Sequence, residues 1–298
     1  MKREKVIKKP KGPDDGIPAV PLTVEGWNIL HQMFRVRWSS WKALPLVERQ
    51  AALEETMAVM EEMERREDGQ SAFFSLLGHK GDLMVLHFRR TLEELNDAEL
   101  RLTNLRIGDF LEETTSYLSV VELGLYQATG RIYTELDEKG IRPFSPEWTQ
   151  AIEAEVAEHR RTLAPRLWPK IPPRRHLCFY PMGRKRGETK NWYQVPMEER
   201  QRMLHEHGLV GRRYARRLTQ IISGSMGFDD WEWGVDLFAD DPLEFKKIVY
   251  EMRFDEVSAV YALFGPFYVG LRFPAAELGT LLQGRAPGFH QGSSSIGG

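Results

Sequence analysis

The side chains suited to chemistry gather between positions 176 and 258. A helix is expected from Pro196 to Arg217, with an apolar stripe through Met203, Leu204, His207, Gly211 and Ala215. His207 therefore sits on the inward face. His205 lies about 200° round the helix from it, so the two imidazoles cannot hold one metal together. A lone histidine on an apolar face is usually a hydrogen-bonded core residue. Here Gly208 and Gly211 flank it, and each glycine weakens a helix by about 1 kcal/mol. That loss makes sense if something flat and bulky must approach the backbone. Imidazole is also a common axial ligand of haem iron.

Two strands face this helix in the expected arrangement. Alternation along His176–Met182 puts Tyr180 and Met182 on one face, and along Leu218–Met226 it groups Gln220, Ile222 and Gly224. By pattern alone, Tyr180 is a tyrosine at a core edge with its hydroxyl bonded, and Gln220 is a ladder position turned to solvent. Between Met182 and Pro196 runs a basic loop with Arg184, Lys185, Arg186, Lys190, Trp192 and Tyr193. Basic and aromatic side chains together suit RNA or a small polyanion. The patch is short and the chain's net charge is −2, which favours the small polyanion, such as a porphyrin's carboxylates. The chain has no P-loop, GxGxxG, GxSxG or HExxH motif.

These residues need a scaffold, and the rest of the sequence supplies one. Of 298 residues 42% are hydrophobic, enough for a sizeable core. The single cysteine, Cys178, excludes an intrachain disulfide and a cysteine-based zinc or iron–sulfur site. A near-neutral chain has no global attraction for nucleic acid. No apolar run approaches the ~18–20 residues of a membrane span, and the basic N-terminus lacks the apolar stretch of a secretory signal. The expectation is a cytoplasmic protein with neither nucleic acid nor membrane as partner.

The order of elements repeats. Strands are expected at Thr23–Trp38, Ala72–Leu77, Asp82–Phe88 and Thr115–Tyr126, with helices at Pro45–Arg66 and from Thr91, where Glu94 completes a capping box. The second half gives strands His176–Met182, Leu218–Met226, Trp231–Phe238 and Ser258–Leu271, with helices Pro196–Arg217 and from Asp241 to Arg253. Each half spells β-α-β-β-α-β, so the fold class is α+β: two ferredoxin-like modules with antiparallel sheets in one subunit. The expected organisation is a flexible basic tail 1–18, an N-terminal module 19–127, a connector 128–175, a C-terminal module 176–275 carrying the site, and a flexible tail 276–298.

The series Tyr180-Pro181-Met182, Asn191-Trp192-Tyr193, Met203-Leu204-His205-Glu206-His207-Gly208, Gln220 to Phe238 through Gly227-Phe228-Asp229-Asp230-Trp231-Glu232-Trp233-Gly234, and Tyr250-Glu251-Met252-Arg253-Phe254-Asp255-Glu256 resembles the chlorite dismutase superfamily. Within it the series resembles the coproheme decarboxylase branch of Gram-positive bacteria. The resemblance runs from about residue 20 to 275 and is densest over 176–270.

The resemblance implies two ferredoxin-like modules, a homopentamer and one haem-type ligand in the C-terminal module. It makes His207 the proximal iron ligand, Gln220 the distal residue and Tyr180 the redox-active tyrosine. Arg166, Arg253 and Ser258 resemble propionate anchors, and Met182 and Trp231 line the site. Arg184 stands where relatives often carry lysine, which leaves Arg184 or Lys185 as the second-step anchor. The implied reaction converts two propionates of iron coproporphyrin III to vinyl groups, giving haem b and two CO2. Hydrogen peroxide is the oxidant, and the substrate is its own cofactor. A ferrochelatase supplying that substrate is the implied transient partner. Two other readings stand beside it: a haem peroxidase or chlorite-degrading enzyme on the same fold, and a non-enzymatic haem-binding protein. Chlorite-degrading relatives place arginine at the distal position, where this chain has neutral Gln220.

Overall fold

The computed structural model describes residues 20–289. The expected tail 1–18 and the end of the second tail, from residue 290, lie outside the described residues. In chain order the N-terminal module contains β1 (Thr23–Val36), α1 (Trp38–Ala43), α2 (Leu46–Arg65), β2 (Ser71–Leu76), β3 (Leu83–Arg89), α3 (Leu92–Thr103) and β4 (Leu111–Gly124). The connector holds α4 (Tyr126–Glu138), α5 (Pro146–Thr162) and α6 (Ala164–Leu167). The C-terminal module contains β5 (His176–Arg184), α7 (Met197–Tyr214), β6 (Leu218–Gly224), β7 (Trp233–Ala239), α8 (Leu243–Met252), α9 (Glu256–Tyr261), β8 (Ala262–Phe264) and β9 (Tyr268–Phe273), and α10 (Leu278–Leu282) follows.

Local chemistry explains the main boundaries. Pro45 and Pro196 precede α2 and α7, where a residue without an N–H costs the helix nothing. The Thr91 hydroxyl accepts from the Glu94 N–H at 3.2 Å and caps α3 as its spacing predicted, while the Glu94 carboxylate reaches back to the Arg90 N–H at 2.9 Å and not to that of Thr91. The strand order is β4-β1-β3-β2 in the first half and β6-β7-β5-β9 in the second, which is the ferredoxin-like order twice. The two sheets join edge to edge. β4 pairs with β6 at Val120 and Val121, and β2 pairs with β9 from Phe73 to Leu76, so the antiparallel sheet closes on itself. β8 and β9 lie one after the other along the same edge of β5.

Odd-numbered residues of β1 and β5 turn into the closed sheet, where Ile29, Met33, Leu177 and Phe179 meet Leu86, Tyr117 and Phe238 in one core. Fully buried His31 and Asp236 join the modules at 2.9 Å within it, and the His31 ring stacks on Phe179. The opposite sheet faces carry the helices, each over its own module: α2 and α3 over the first, α7 and α8 over the second.

Four expectations are corrected. The final strand Ser258–Leu271 is instead α9, β8 and β9. Asp255 accepts from the Ser258 N–H and starts a helix, and Gly265-Pro266 interrupts the strand because proline has no N–H to pair. The helix expected to reach Arg217 ends at Tyr214. The connector is not merely a link, since α4 buries Ala128, Thr129, Tyr133 and Leu136. The expected tail from 276 begins with ordered structure: Leu278, Leu281 and Leu282 of α10 are buried in the core beneath α2.

Candidate active site

Beneath α7 and α8 the C-terminal module borders an open cavity of about 610 Å³. Even-numbered residues of β5 face it, so Tyr180, Met182 and Arg184 share a wall. Gln220 and Ile222 of β6 and Trp233 and Val235 of β7 complete the sheet side. His207 and Gly208 of α7 form part of the helical side. A Cβ built on Gly208 would meet nothing within 4 Å, so the missing side chain leaves room at the cavity wall. The connector closes the remaining side, with Tyr126, Leu163 and Arg166 among its contributions. The site is therefore not built by the C-terminal module alone.

His207 is held from behind. Its Nδ1 lies 2.8 Å from Asp255 Oδ2, while the Ser258 N–H donates to Asp255 Oδ1 at 2.9 Å. Burial pushes the Asp255 carboxyl up, but the hydrogen bonds from His207 and Ser258 outweigh it and hold the group below its ordinary value. A carboxylate at Nδ1 selects the tautomer with its proton there. Nε2 then keeps a free lone pair on a residue lining the cavity. Asp255 is a residue that sequence reasoning missed. It is 48 positions from His207, and no local spacing joins them.

Arg184 is the second notable feature. Its guanidinium stacks over Trp192 at 5.1 Å and Trp233 at 5.7 Å. Its Nη1 is buried without a hydrogen-bond partner. Burial pulls its pKa below the ordinary arginine value. A carboxylate brought to it would supply both the missing acceptor and the missing counter-charge. Tyr180 is buried in an apolar setting, its ring 4.5 Å from that of Phe267. Burial raises its phenol well above the ordinary value, with a smaller push from Cys178, so the O–H stays protonated.

Of the residues singled out from sequence, the fold brings Tyr180, Met182, Arg184, His207, Gln220, Ser258 and Arg166 to one cavity. Arg166 stands exposed at its edge. The Ser258 hydroxyl lies 3.3 Å from Asp255 Oδ2, so part of its capacity is committed. Lys185, Trp231 and Arg253 are not among the lining residues. Lys185 follows Arg184, so alternation turns it away, and its N–H donates to the Tyr261 carbonyl. Trp231 precedes β7 and packs against the central core, while Trp233 takes the wall position. The Arg253 guanidinium covers the ring of Phe264 at 3.8 Å. His205, expected apart from His207, also borders the cavity, where it is hydrogen-bonded to Gln127.

The model of the family described as chlorite dismutase matches residues 49–273. The chain is 42% identical over 257 residues to a coproheme decarboxylase of Staphylococcus saprophyticus, covering 85% of this chain and 94% of that protein. It is also 42% identical over 271 residues to a protein of Haloquadratum walsbyi described as heme-binding, covering 90% of this chain; it spans about half of that longer protein, 48% of its length. A solved structure of a heme-binding protein from Thermus thermophilus superposes with a TM-score of 0.75 at 39% identity, covering 90% of this chain and 99% of that one.

Proposed function

This chain belongs to the chlorite dismutase family, and from that premise we propose that its cavity binds iron coproporphyrin III and converts it to haem b by oxidative decarboxylation with hydrogen peroxide. The observation that carries the reading is the meeting of three groups around one cavity: an imidazole with Nε2 free on the helical side, and on the sheet side an arginine with a buried, unpartnered Nη1 and a protonated phenol. A molecule holding both a metal and several carboxylates answers the first two. The similarity to a coproheme decarboxylase supports the same choice.

The residues present fit that molecule. His207 would bind its iron, and Arg184 and Arg166 would hold carboxylates, Arg184 in a bidentate fork. Gly208 gives the flat ring room beside the helix. When bound, the iron porphyrin supplies the redox chemistry with peroxide. Tyr180 has the chemistry to pass a hydrogen atom: its phenol would lose one to the peroxide-derived oxidant and then take one from the carbon beside the ring, and the remaining propionate radical would release CO2 and one electron, which the same oxidant accepts. Each propionate, with one H2O2 and one proton, gives one vinyl group, one CO2 and two waters. Gln220 brings no charge to the wall, which suits neutral peroxide better than an anionic oxidant. The test is to add iron coproporphyrin III and then peroxide to the protein and follow products by mass spectrometry. Stepwise loss of two CO2 equivalents is expected. Binding no tighter than that of haem b, with no mass loss, would overturn the reading.

A further inference from the structure

We propose that the N-terminal module carries a second ligand site: a cavity of about 290 Å³ that takes an uncharged aromatic molecule bearing one N–H or O–H donor. It lies on the helix-covered face of the first sheet, between Thr56 and Met60 of α2, Leu83 and Val85 of β3 and Leu102 of α3. Leu278 of α10 contributes to its wall. The inference is independent of the porphyrin reading.

Size comes first. Protein interiors are packed close to crystal density, and voids beyond a water molecule are few. An engineered apolar cavity of about 150 Å³ stays dry and admits benzene. A cavity of about 290 Å³ therefore has room for roughly a dozen non-hydrogen atoms, the size of two fused rings. Its walls are mainly apolar side chains, as in ordinary small-molecule sites.

The polar groups then choose the ligand. The Thr56 hydroxyl donates to the Ala52 carbonyl at 2.7 Å, and the Thr103 hydroxyl donates to the Glu99 carbonyl at 3.0 Å. Both protons are committed to the helices, so these oxygens offer a ligand only lone pairs. Glu113, paired with Phe34 on this face of the sheet, adds a carboxylate at the edge of the cavity, while the Glu112 carboxylate lies beside Arg35 on the other face. The one guanidinium on the wall, Arg37, donates to the Asp109 carbonyl at 3.1 Å. The Thr56 and Thr103 oxygens with Glu113 make acceptors outnumber the single guanidinium, so the wall favours a donor over a carboxylate. Indole has this combination of shape and polarity and serves as the probe.

Methionine methyl groups report on the two cavities separately. Met60 borders this one, and Met182 and Met252 border the larger one. The full chain, labelled with ¹³C at methionine methyls, is titrated with indole and separately with benzoate. Indole should shift the Met60 resonance saturably and leave Met182 and Met252 in place, while benzoate at equal concentration should move none of them. Val85→Phe and the edge variant Leu111→Trp, each placing a ring in the cavity, should abolish the Met60 response. A Met60 signal unmoved by indole, shifts confined to Met182 and Met252, an equal response to benzoate, or a Met60 response surviving in either folded variant would overturn the proposal.

Discussion

The two modules build a cavity at the same place, and comparing their walls shows what turns packing into a site. Val85 of β3 is paired with Gln32 and Phe73, while Val235 of β7 is paired with Tyr180 and Ile222. On that register Phe34 takes the place of Met182, and Gln32 that of Tyr180. Counted from Pro45 and Pro196, Thr56 stands for His207, Met57 for Gly208 and Met60 for Gly211. Met60 of the first helix lines a cavity of about 290 Å³, and Gly208 of the second helix lines one of about 610 Å³. The architecture is common to both. The helices differ by methionine bulk replaced with glycine at two positions and by an imidazole standing beside them in place of a threonine hydroxyl.

Restoring the missing bulk should break the contrast most severely. Gly208→Met is expected to abolish iron porphyrin binding, measured by absorbance titration. A Cβ at this position meets no neighbour within 4 Å and the longer side chain can extend into the cavity, so the fold should survive. Replacing an interior helical glycine removes a penalty of about 1 kcal/mol, so the melting temperature should hold or rise. Loss of binding together with a collapsed melting transition would mean that the glycine serves packing, as Met57 does in the other helix.

Tyr180→Phe should come next, acting on product and not on binding. A tyrosine that only packs would lose one hydrogen bond, worth about 1 kcal/mol. A hydrogen-atom carrier would lose its function entirely. The expected outcome is near-normal uptake of iron coproporphyrin III with almost no vinyl product per peroxide by mass spectrometry. A variant retaining most of the wild-type yield would give Tyr180 the same structural role as Gln32.

The smallest change should come from Asp255→Ala. The carboxylate orients His207 without itself lining the cavity, and loss of such a partner typically weakens a metal site about 10–100-fold. Affinity should fall in that range, with a change in the iron spectrum that an unrelated destabilisation would not give. An unchanged spectrum would separate Asp255 from the axial ligand.

What the sequence made legible follows from the range of each signal. The aromatic and β-branched make-up of β1, the apolar run of β3, alternation in β5 and β6, and helix starts at Pro45, Thr91 and Pro196 act over a few residues, and the modules followed from them. Periodicity fixes the faces of Tyr180, Gln220 and His207, but by pattern alone Tyr180 is a core-edge tyrosine and Gln220 faces solvent; the family resemblance is what joins them to His207. The errors lie where local patterns compete. Val257, Val260 and Tyr261 look extended, yet an Asp255 cap makes the segment helical. Leu278, Leu281 and Leu282 carry helical spacing, but surrounding glycines hid it. Trp233 was passed over for Trp231 because the start of β7 depends on its pairing with β5 and β6. The Asp255–His207 pair and the connector's share of the cavity arise only from tertiary folding, which no spacing in one sequence reveals.

The placement of α10 has a consequence for the order in which the molecule can be completed during synthesis. β2 finds its outer neighbour only in β9, and the cavity beneath α2 receives Leu278 from α10. A ribosome must therefore release the chain through α10 before the first module has its last strand neighbour and its cover. Such long-range pairing slows folding and leaves an unpaired strand edge exposed in the meantime. The nascent first half, with Phe73 and Phe74 on that open edge, is thus the stage at which this protein most needs shielding from its neighbours.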